Sequence, residues 1–301
     1  MAILVDDKTR CLIQGITGAS GARYARWMTE YGTGPVAGVS PGKGGRAVEG
    51  VPVYDTVAEA LGHYAVDWSS INVPPAAVRD AALEALAHGI PNLFLYAERV
   101  PQQDVLEVLE RADAQGTTVI GPNSPGIISP GRFRLGGIGG ELEYLHEVFR
   151  PGPVGIMSRS GGMTSTLAHL LSKHGIGQTT AVGVGGDALI GSPFRRLLPR
   201  FLEDPETRVV VLFGEVGSPY EEDAAEYLIE TRYPKPVVAF IAGRFAQPGF
   251  RYGHAGAIVE RGRGTHAGKV AALKAAGVAI AESLQAIPAL VRERLGGAAG
   301  R

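Results

Sequence analysis

The sequence predicts an α/β protein built from two doubly wound halves, and three observations carry that reading. Short apolar runs alternate with segments of helical period along almost the whole chain, which is the pattern of βαβ units around a parallel sheet. Glycine makes up 43 of the 301 residues and clusters where apolar runs give way to helical ones, as the tight strand-to-helix turns of such folds require. The length suits two domains, each able to bury its own core.

Taken in order, residues 10–14 form the first apolar run, followed by a glycine loop and an amphipathic segment over about 22–30. A strand at 35–39 runs into Ser40-Pro41-Gly42-Lys43-Gly44-Gly45. A short strand is expected at 51–54, and Thr56 with Glu59 three residues on has capping-box spacing for a helix. A strand at 69–73 is stopped by Pro74-Pro75, and 76–88 has helix composition. Strand 92–96, helix 102–115 and strand 117–120 complete the first half, closed by Gly121-Pro122-Asn123-Ser124-Pro125-Gly126. Between 131 and 153 glycine and proline are dense and no period holds, which places a boundary there. The expected domains are 1–130 and 151–296, with a linker over 131–150 and a frayed tail over 297–301. In the second half, strands are expected at 154–157, 179–184, 209–213, 236–241 and 277–280. Helices are expected at 161–174, 193–203, 220–232, 267–275 and 284–294.

Charge names no partner. Lys and Arg total 29 against 30 Asp and Glu, so no global excess draws the chain to nucleic acid or an anionic membrane. No apolar run approaches the roughly 20 residues of a spanning helix. With Asp6, Asp7, Lys8 and Arg10 so early, no secretory signal can be drawn. A cytoplasmic enzyme subunit is the expectation. Cys11 is the single cysteine and lies in an apolar run, so it reads as a buried structural thiol. No H-x-x-x-H or H-E-x-x-H occurs, and no metal site is expected.

Five stretches carry candidate chemistry. Gly15-Ile16-Thr17-Gly18-Ala19-Ser20-Gly21 joins the first strand to the first helix, where backbone N–H groups and the helix dipole favour a phosphate. The spacing is G-x-x-G-x-x-G, so the loop reads either as a phosphate cradle or as a structural turn. The second strand ends in Ser40-Pro41-Gly42-Lys43 rather than in the carboxylate an NAD ribose wants. That disfavours NAD and suits a phosphate-rich ligand such as coenzyme A, although Lys43 reads equally well as a solvated turn lysine.

Ser158-Arg159-Ser160-Gly161-Gly162-Met163-Thr164 repeats the strand-loop-helix arrangement in the second half, as a further anion site or as plain N-capping by Ser158 or Ser160. Glu215 ends the strand at 209–213, where open α/β sheets bind ligands. It can fix the tautomer of an imidazole there, or it is a surface glutamate flanking a helix. Six histidines lie in or beside helical segments, and five of these read as surface residues. His254 alone stands among Gly253, Ala255, Gly256 and Ala257, so its ring can be approached from several sides, and it is the candidate phosphoryl carrier.

These stretches, with Gly121-Pro122-Asn123, Val184-Gly185-Gly186-Asp187, Gly214-Glu215-Val216-Gly217 and Gly253-His254-Ala255-Gly256-Ala257, stand in the order seen in the α subunit of succinyl-CoA synthetase. The chain resembles that family over nearly its whole length. The resemblance implies an N-terminal Rossmann-like CoA-binding domain and a flavodoxin-like ligase domain. It also implies a β subunit that holds ATP or GTP with Mg in an ATP-grasp fold. His254 would be the phosphorylated histidine and Glu215 its orienting carboxylate, with Ser160 and Gly161 at the phosphate. CoA contacts would fall on Thr17, Gly18, Ala19, Ser20, Lys43, Tyr96, Ala97 and Glu98.

Where this family has Ser-Gly-Thr-Leu-Thr-Tyr, the chain has Ser160-Gly161-Gly162-Met163-Thr164-Ser165. That form, with Arg150-Pro151-Gly152 before it, is similar to ATP-citrate lyase and citryl-CoA synthetase. Gly162 and Ser165 are therefore the substrate candidates, with succinate the default acid and citrate or malate the alternatives. Two further departures are Ser124 in place of a frequent cysteine, and Gly217-Ser218-Pro219 in place of a Gly-Gly pair. Outside this reaction class, the competing readings are a non-catalytic CoA-binding module and an NAD-dependent dehydrogenase.

Overall fold

The computed structural model describes residues 2–246 and 264–297. His254 therefore lies outside the described residues, as do 298–301 of the expected tail. Among the described residues the strands form two seven-stranded sheets.

The first half runs β1 (Cys11–Gln14), α1 (Ala19–Glu30), β2 (Ala37–Val39), β3 (Ala47–Val48), β4 (Val51–Tyr54), α2 (Val57–Leu61), β5 (Trp68–Ile71), α3 (Val78–Ala87), β6 (Asn92–Leu95), α4 (Gln102–Gln115) and β7 (Thr118–Ile120). Its sheet has the order β3-β4-β2-β1-β5-β6-β7. The ladders from β4 to β7 are parallel, and only β3 is antiparallel, to β4. Local sequence accounts for the helices. α1 buries Gly21, Tyr24, Ala25 and Met28 on one face, the spacing of an amphipathic helix. Thr56 caps α2 by accepting from Glu59 N, as the capping-box spacing predicts. α4 ends at Gly116, whose left-handed conformation suits glycine. Cys11 is fully buried, and burial pushes its thiol up to about 12, so it is an inert core group.

The second half runs β8 (Gly126–Ser129), β9 (Phe133–Gly136), α5 (Leu142–Val148), β10 (Pro151–Ser158), α6 (Gly161–Lys173), β11 (Gln178–Gly183), α7 (Phe194–Glu203), β12 (Val209–Glu215), α8 (Tyr220–Glu230), β13 (Val237–Ala242), α9 (His266–Ala275), β14 (Ala279–Ile280) and α10 (Ile287–Gly297). The order β14-β13-β12-β10-β11-β8-β9 contains a five-strand parallel unit of flavodoxin type, extended by an antiparallel hairpin. β10 and β12 lie at its centre, and β12 is buried along its whole length, as its unbroken apolar run Val209 to Phe213 requires.

The segment 131–150 differs from the expectation of an irregular linker. It contains β9 and α5, and the β8–β9 hairpin bonds into the second sheet through β11. Glycine there serves close packing: a Cβ on Gly137 would fall 2.3 Å from the Tyr24 ring, and one on Gly139 would fall 2.1 Å from Leu145. Gly297 belongs to α10 rather than to a tail. The two halves share one buried cluster that runs from Cys11, Ile13 and Phe94 through Ile127 and Leu135 to Met157 and Val182.

Gly126 opens β8 at φ +119°, and an added Cβ would lie 1.9 Å from the Leu135 carbonyl oxygen across the hairpin. Gly116 has φ +69° and open space around the same position, so alanine there costs only the left-handed penalty of about 1–2 kcal/mol. Gly126→Ala is expected to lower the melting temperature well beyond Gly116→Ala. Equal shifts in a thermal melt would contradict the hairpin geometry.

Candidate active site

The first candidate loop sits where the chain turns from β1 to α1, between β2 on one side and β5 on the other. This is the switch point at which open α/β sheets form a crevice. Glycine is obligatory here. Gly15 has φ +77°, and a Cβ on it would lie 2.6 Å from Asn72 O, while one on Gly21 would lie 2.3 Å from Gly15 O. Gly18 caps α1 without a side chain, and no acid stands in the first turn over Ala19 and Ser20. The leading N–H groups therefore keep their affinity for an anion.

Thr17 Oγ1 donates to Ser40 Oγ at 3.0 Å, and Lys43 Nζ donates to Thr17 Oγ1 at 3.2 Å. A threonine, a serine and a cation from two separate loops thus converge beside the helix start. A cavity of about 270 Å³ adjoins them, lined by Gly15, Val39, Pro41, Val73 and Ala77 among others. Donors for phosphate beside an apolar recess fit a ligand with both characters.

Tyr96, Ala97 and Glu98 follow β6 on the same sheet edge. The Tyr96 ring meets Tyr24 of α1 edge-on, with centroids 5.1 Å apart, and this links the strand end to the glycine loop. Ala97 is buried and its carbonyl accepts from Asn123 N at 2.8 Å. Glu98 is exposed, 3.6 Å from Arg99 Nε. Among the described residues no direct bond joins Thr17 or Lys43 to this strand end.

The second candidate loop stands at the corresponding point of the second sheet, where β10 leads into α6 between β11 and β12. Ser160 caps α6 by accepting from Met163 N at 3.4 Å. Ser158 Oγ accepts from Ser160 N at 3.1 Å and donates to Ser160 O at 2.8 Å, which holds the loop. The two glycines are not equivalent. A Cβ on Gly161 would press to 3.3 Å against Pro125, so this glycine has a packing reason, whereas Gly162 faces open space. Ser165 is half-buried in the second turn.

Glu215 ends β12 beside this helix start and is only 7% exposed, so it is not the surface glutamate of the alternative reading. Its neighbour is Arg159, which sequence reasoning passed over. The Arg159 guanidinium is buried, lies 3.4 Å from Glu215 Oε1, and donates to Asp187 O at 3.1 Å and Gly186 O at 3.4 Å. It also stacks over Tyr220, 4.9 Å from the ring centroid. Asp187 in turn accepts from Asn123 Nδ2 at 3.0 Å and from Arg99 N at 3.1 Å. Burial pushes the Asp187 carboxyl up, and these two bonds oppose the shift. The signal for Arg159 was a cation placed between an apolar strand and a glycine pair, where little room exists for a solvated side chain. His169 also departs from expectation: it is half-buried, with Nδ1 enclosed.

Glu215 is fixed from below as well. Its N–H donates to Glu221 Oε1 at 3.0 Å, and the fully buried Glu221 carboxylate pairs with the fully buried Lys269 of α9. Lys269 also reaches Glu222 at 3.0 Å and the carbonyl of Ser218. Ser218 adopts φ +42°, at the position where the resemblance expects glycine. Burial pushes the Glu221 carboxyl up, against the pull of Lys269 and Arg159. Gly243 and Gly264, on either side of residues 247–263, both pack on the residues after Glu215. A Cβ on Gly243 would meet Val216 at 2.7 Å, and one on Gly264 would meet Gly217 at 2.9 Å. No group of metal-ligating side chains occurs among the described residues, and no described helix is long and apolar enough to cross a membrane.

Comparison with known proteins agrees with this two-part arrangement. Residues 6–99 match the CoA binding domain family and residues 157–279 match the CoA-ligase family. The chain is 47% identical over 295 residues to the succinate–CoA ligase [ADP-forming] subunit alpha 2 of Archaeoglobus fulgidus, covering 98% of this chain and 100% of that protein. It is 46% identical to the succinate–CoA ligase [ADP-forming] subunit alpha of Methanothermobacter thermautotrophicus, covering 98% of this chain and 97% of that one. Among solved structures, it superposes on Methanosaeta concilii ATP citrate lyase in complex with (3S)-citryl-CoA with a TM-score of 0.90 and 26% identity, covering 98% of this chain. It spans about half of that longer chain, 51%.

Removing Lys269 alone would strand the Glu221 carboxylate in the interior, at a cost of about 3–5 kcal/mol. Lys269→Met is therefore expected to lower the melting temperature sharply, and Lys269→Met/Glu221→Leu to recover most of the loss. A double variant that melts no higher than the single would contradict a buried pair.

Proposed function

The chain belongs to the succinate–CoA ligase α-subunit family, and from that premise we propose that it is the catalytic α subunit of a nucleotide-dependent acid–thiol ligase. The substrates are CoA and a carboxylic acid, with succinate as the acid, and a phosphohistidine at His254 carries the phosphoryl group. The observation that supports this most is the position of Glu215. It is a buried carboxylate at the switch point of the second sheet, beside the open start of α6, with both flanks of residues 247–263 packed on the loop that follows it.

In this reading Glu215 accepts a hydrogen bond from one imidazole nitrogen of His254, which leaves the other as nucleophile toward the nucleotide's terminal phosphate. The N-terminal N–H groups of α6 from Gly161 on, behind the cap at Ser160, stabilise the dianion. The carboxylate then takes the phosphoryl group from His254 as an acyl phosphate. The CoA thiol attacks the acyl carbon, phosphate leaves, and the C–S bond of the thioester replaces the C–O bond. Gly162 and Ser165 stand at the acid. Thr17, Gly18, Ala19, Ser20 and Lys43 hold phosphates of CoA, and Tyr96, Ala97 and Glu98 form the adjoining wall. ATP or GTP with Mg belongs to a partner β subunit of ATP-grasp fold. In this reading the protein is cytoplasmic, and its two domains meet between β7 and β8.

Citrate is the second reading, because the open space at Gly162 and the superposition on ATP citrate lyase favour a bulkier acid. Two measurements test these readings. With a β subunit and γ-labelled ATP, the chain should acquire an acid-labile, base-stable label that His254→Asn abolishes; equal labelling of the variant would overturn the mechanism. Thioester formation across succinate, malate and citrate should be fastest with succinate, and activity confined to citrate would replace the assignment.

A further inference from the structure

Arg159 has no part in the mechanism so far, yet it is buried beside the carboxylate on which that mechanism turns. Its guanidinium is 1% exposed and touches the loop after β11, the end of β12 and the start of α8. From β11 it holds the carbonyls of Gly186 and Asp187, from β12 it holds Glu215 Oε1, and at the start of α8 it lies over the Tyr220 ring. Tyr220 is itself fixed, donating to Ala188 O at 2.7 Å and accepting from Ile190 N at 3.3 Å. The guanidinium plane is therefore set from its face and from its edge.

A buried arginine costs more in lost hydration than loose hydrogen bonds return, and an apolar side chain of similar volume would pack the same loops at less cost. Here Nη2 donates to two carbonyls at 3.1 and 3.4 Å and forms an ion pair with Glu215 at 3.4 Å, while Nε has no hydrogen-bond partner. Loop packing alone gives no reason for this choice. The charged acceptor is Glu215, whose backbone N–H is separately pinned by Glu221 at 3.0 Å. With the main chain pinned by Glu221 and the carboxylate drawn toward the Arg159 charge at 3.4 Å, the Glu215 side chain is biased toward one direction.

We infer that Arg159 is the positioning residue of the phosphoryl-transfer step: it aims the Glu215 carboxylate and ties that aim to the loop over Val184–Ile190. The inference rests on the reading of Glu215 as the carboxylate that orients His254. Asp187 carries the tie onward to Arg99 and Asn123, at the end of the first sheet. Among the described residues Arg159 makes no hydrogen bond or ion pair to the glycine loop or to Lys43, so its loss is expected to fall on the phosphoryl step far more than on CoA affinity.

The test uses the complete α–β complex and compares wild type with Arg159→Met, Arg159→Lys, Glu215→Gln and Arg159→Met/Glu215→Gln. The readouts are the single-turnover rate of His254 labelling at saturating ATP and the KM for CoA. Arg159→Met is expected to slow labelling by about 10- to 100-fold, the usual cost of losing an outer partner of a site residue, with KM for CoA within about twofold. The double variant should be no slower than Glu215→Gln alone, since a residue that acts through Glu215 has nothing left to position. Arg159→Lys keeps the charge but loses the planar group stacked over Tyr220, and should label at a rate between wild type and Arg159→Met. Multiplicative losses in the double variant, wild-type labelling by Arg159→Lys, or a loss confined to the KM for CoA would each overturn the proposal. If Arg159→Met fails to assemble, Arg159→Lys decides by the same criterion. A wild-type complex that takes up no label at His254 would overturn the underlying reading and this proposal together, and that control separates the two kinds of failure.

Discussion

The site depends on one seam, the hydrogen bonds by which the ends of β6 and β7 meet the end of β11. Asn123 N reaches Ala97 O at 2.8 Å, Gly186 N reaches Asn123 O at 3.1 Å, and Gly191 N reaches Gly121 O at 2.9 Å. Asp187 closes the seam by accepting from both Asn123 and Arg99. Backbone groups buried this deeply must be paired, so the C-terminal edges of the two parallel sheets are brought side by side. Two loops that each favour anions then lie on one frame: the glycine loop at Gly15–Gly21 and the start of α6 at Ser160. Arg159 extends that frame to Glu215.

Much of this was legible because it rests on local rules. The strand-helix alternation, the cap at Thr56, the end of α4 at Gly116 and the buried run of β12 follow from propensity and period. Glu215 and the two strand-to-helix loops are legible because they lie at strand ends, and the fold places them at switch points. Segment 131–150 was misread because dense glycine signals either slack or tight packing. Gly136, Gly137 and Gly139 pack against Phe94, Tyr24 and Leu145, and these partners are distant in sequence except for Leu145.

The pairings hardest to read in the sequence are those that hold Glu215. Lys269 and Glu221 stand 48 residues apart and Arg159 and Glu215 stand 56 apart, and no spacing rule links them. Their burial nonetheless has a common logic. In the proposed mechanism the carboxylate that orients an imidazole must be fixed without being neutralised, and this loop is held at its backbone by one buried ion pair and at its side chain by another. Ser218 stands in a left-handed conformation, its carbonyl taken by Lys269, which anchors the turn after Glu215.

The central claim is that a single phosphoryl group on this chain is spent on a single thioester. It is tested most directly by phosphorylating the α–β complex, removing nucleotide, and following the phosphoramidate signal by phosphorus NMR while succinate and CoA are added. The account predicts that the signal disappears only when both are present, with one succinyl thioester formed for each phosphate released. A signal that survives the addition, or that decays without thioester, would contradict it.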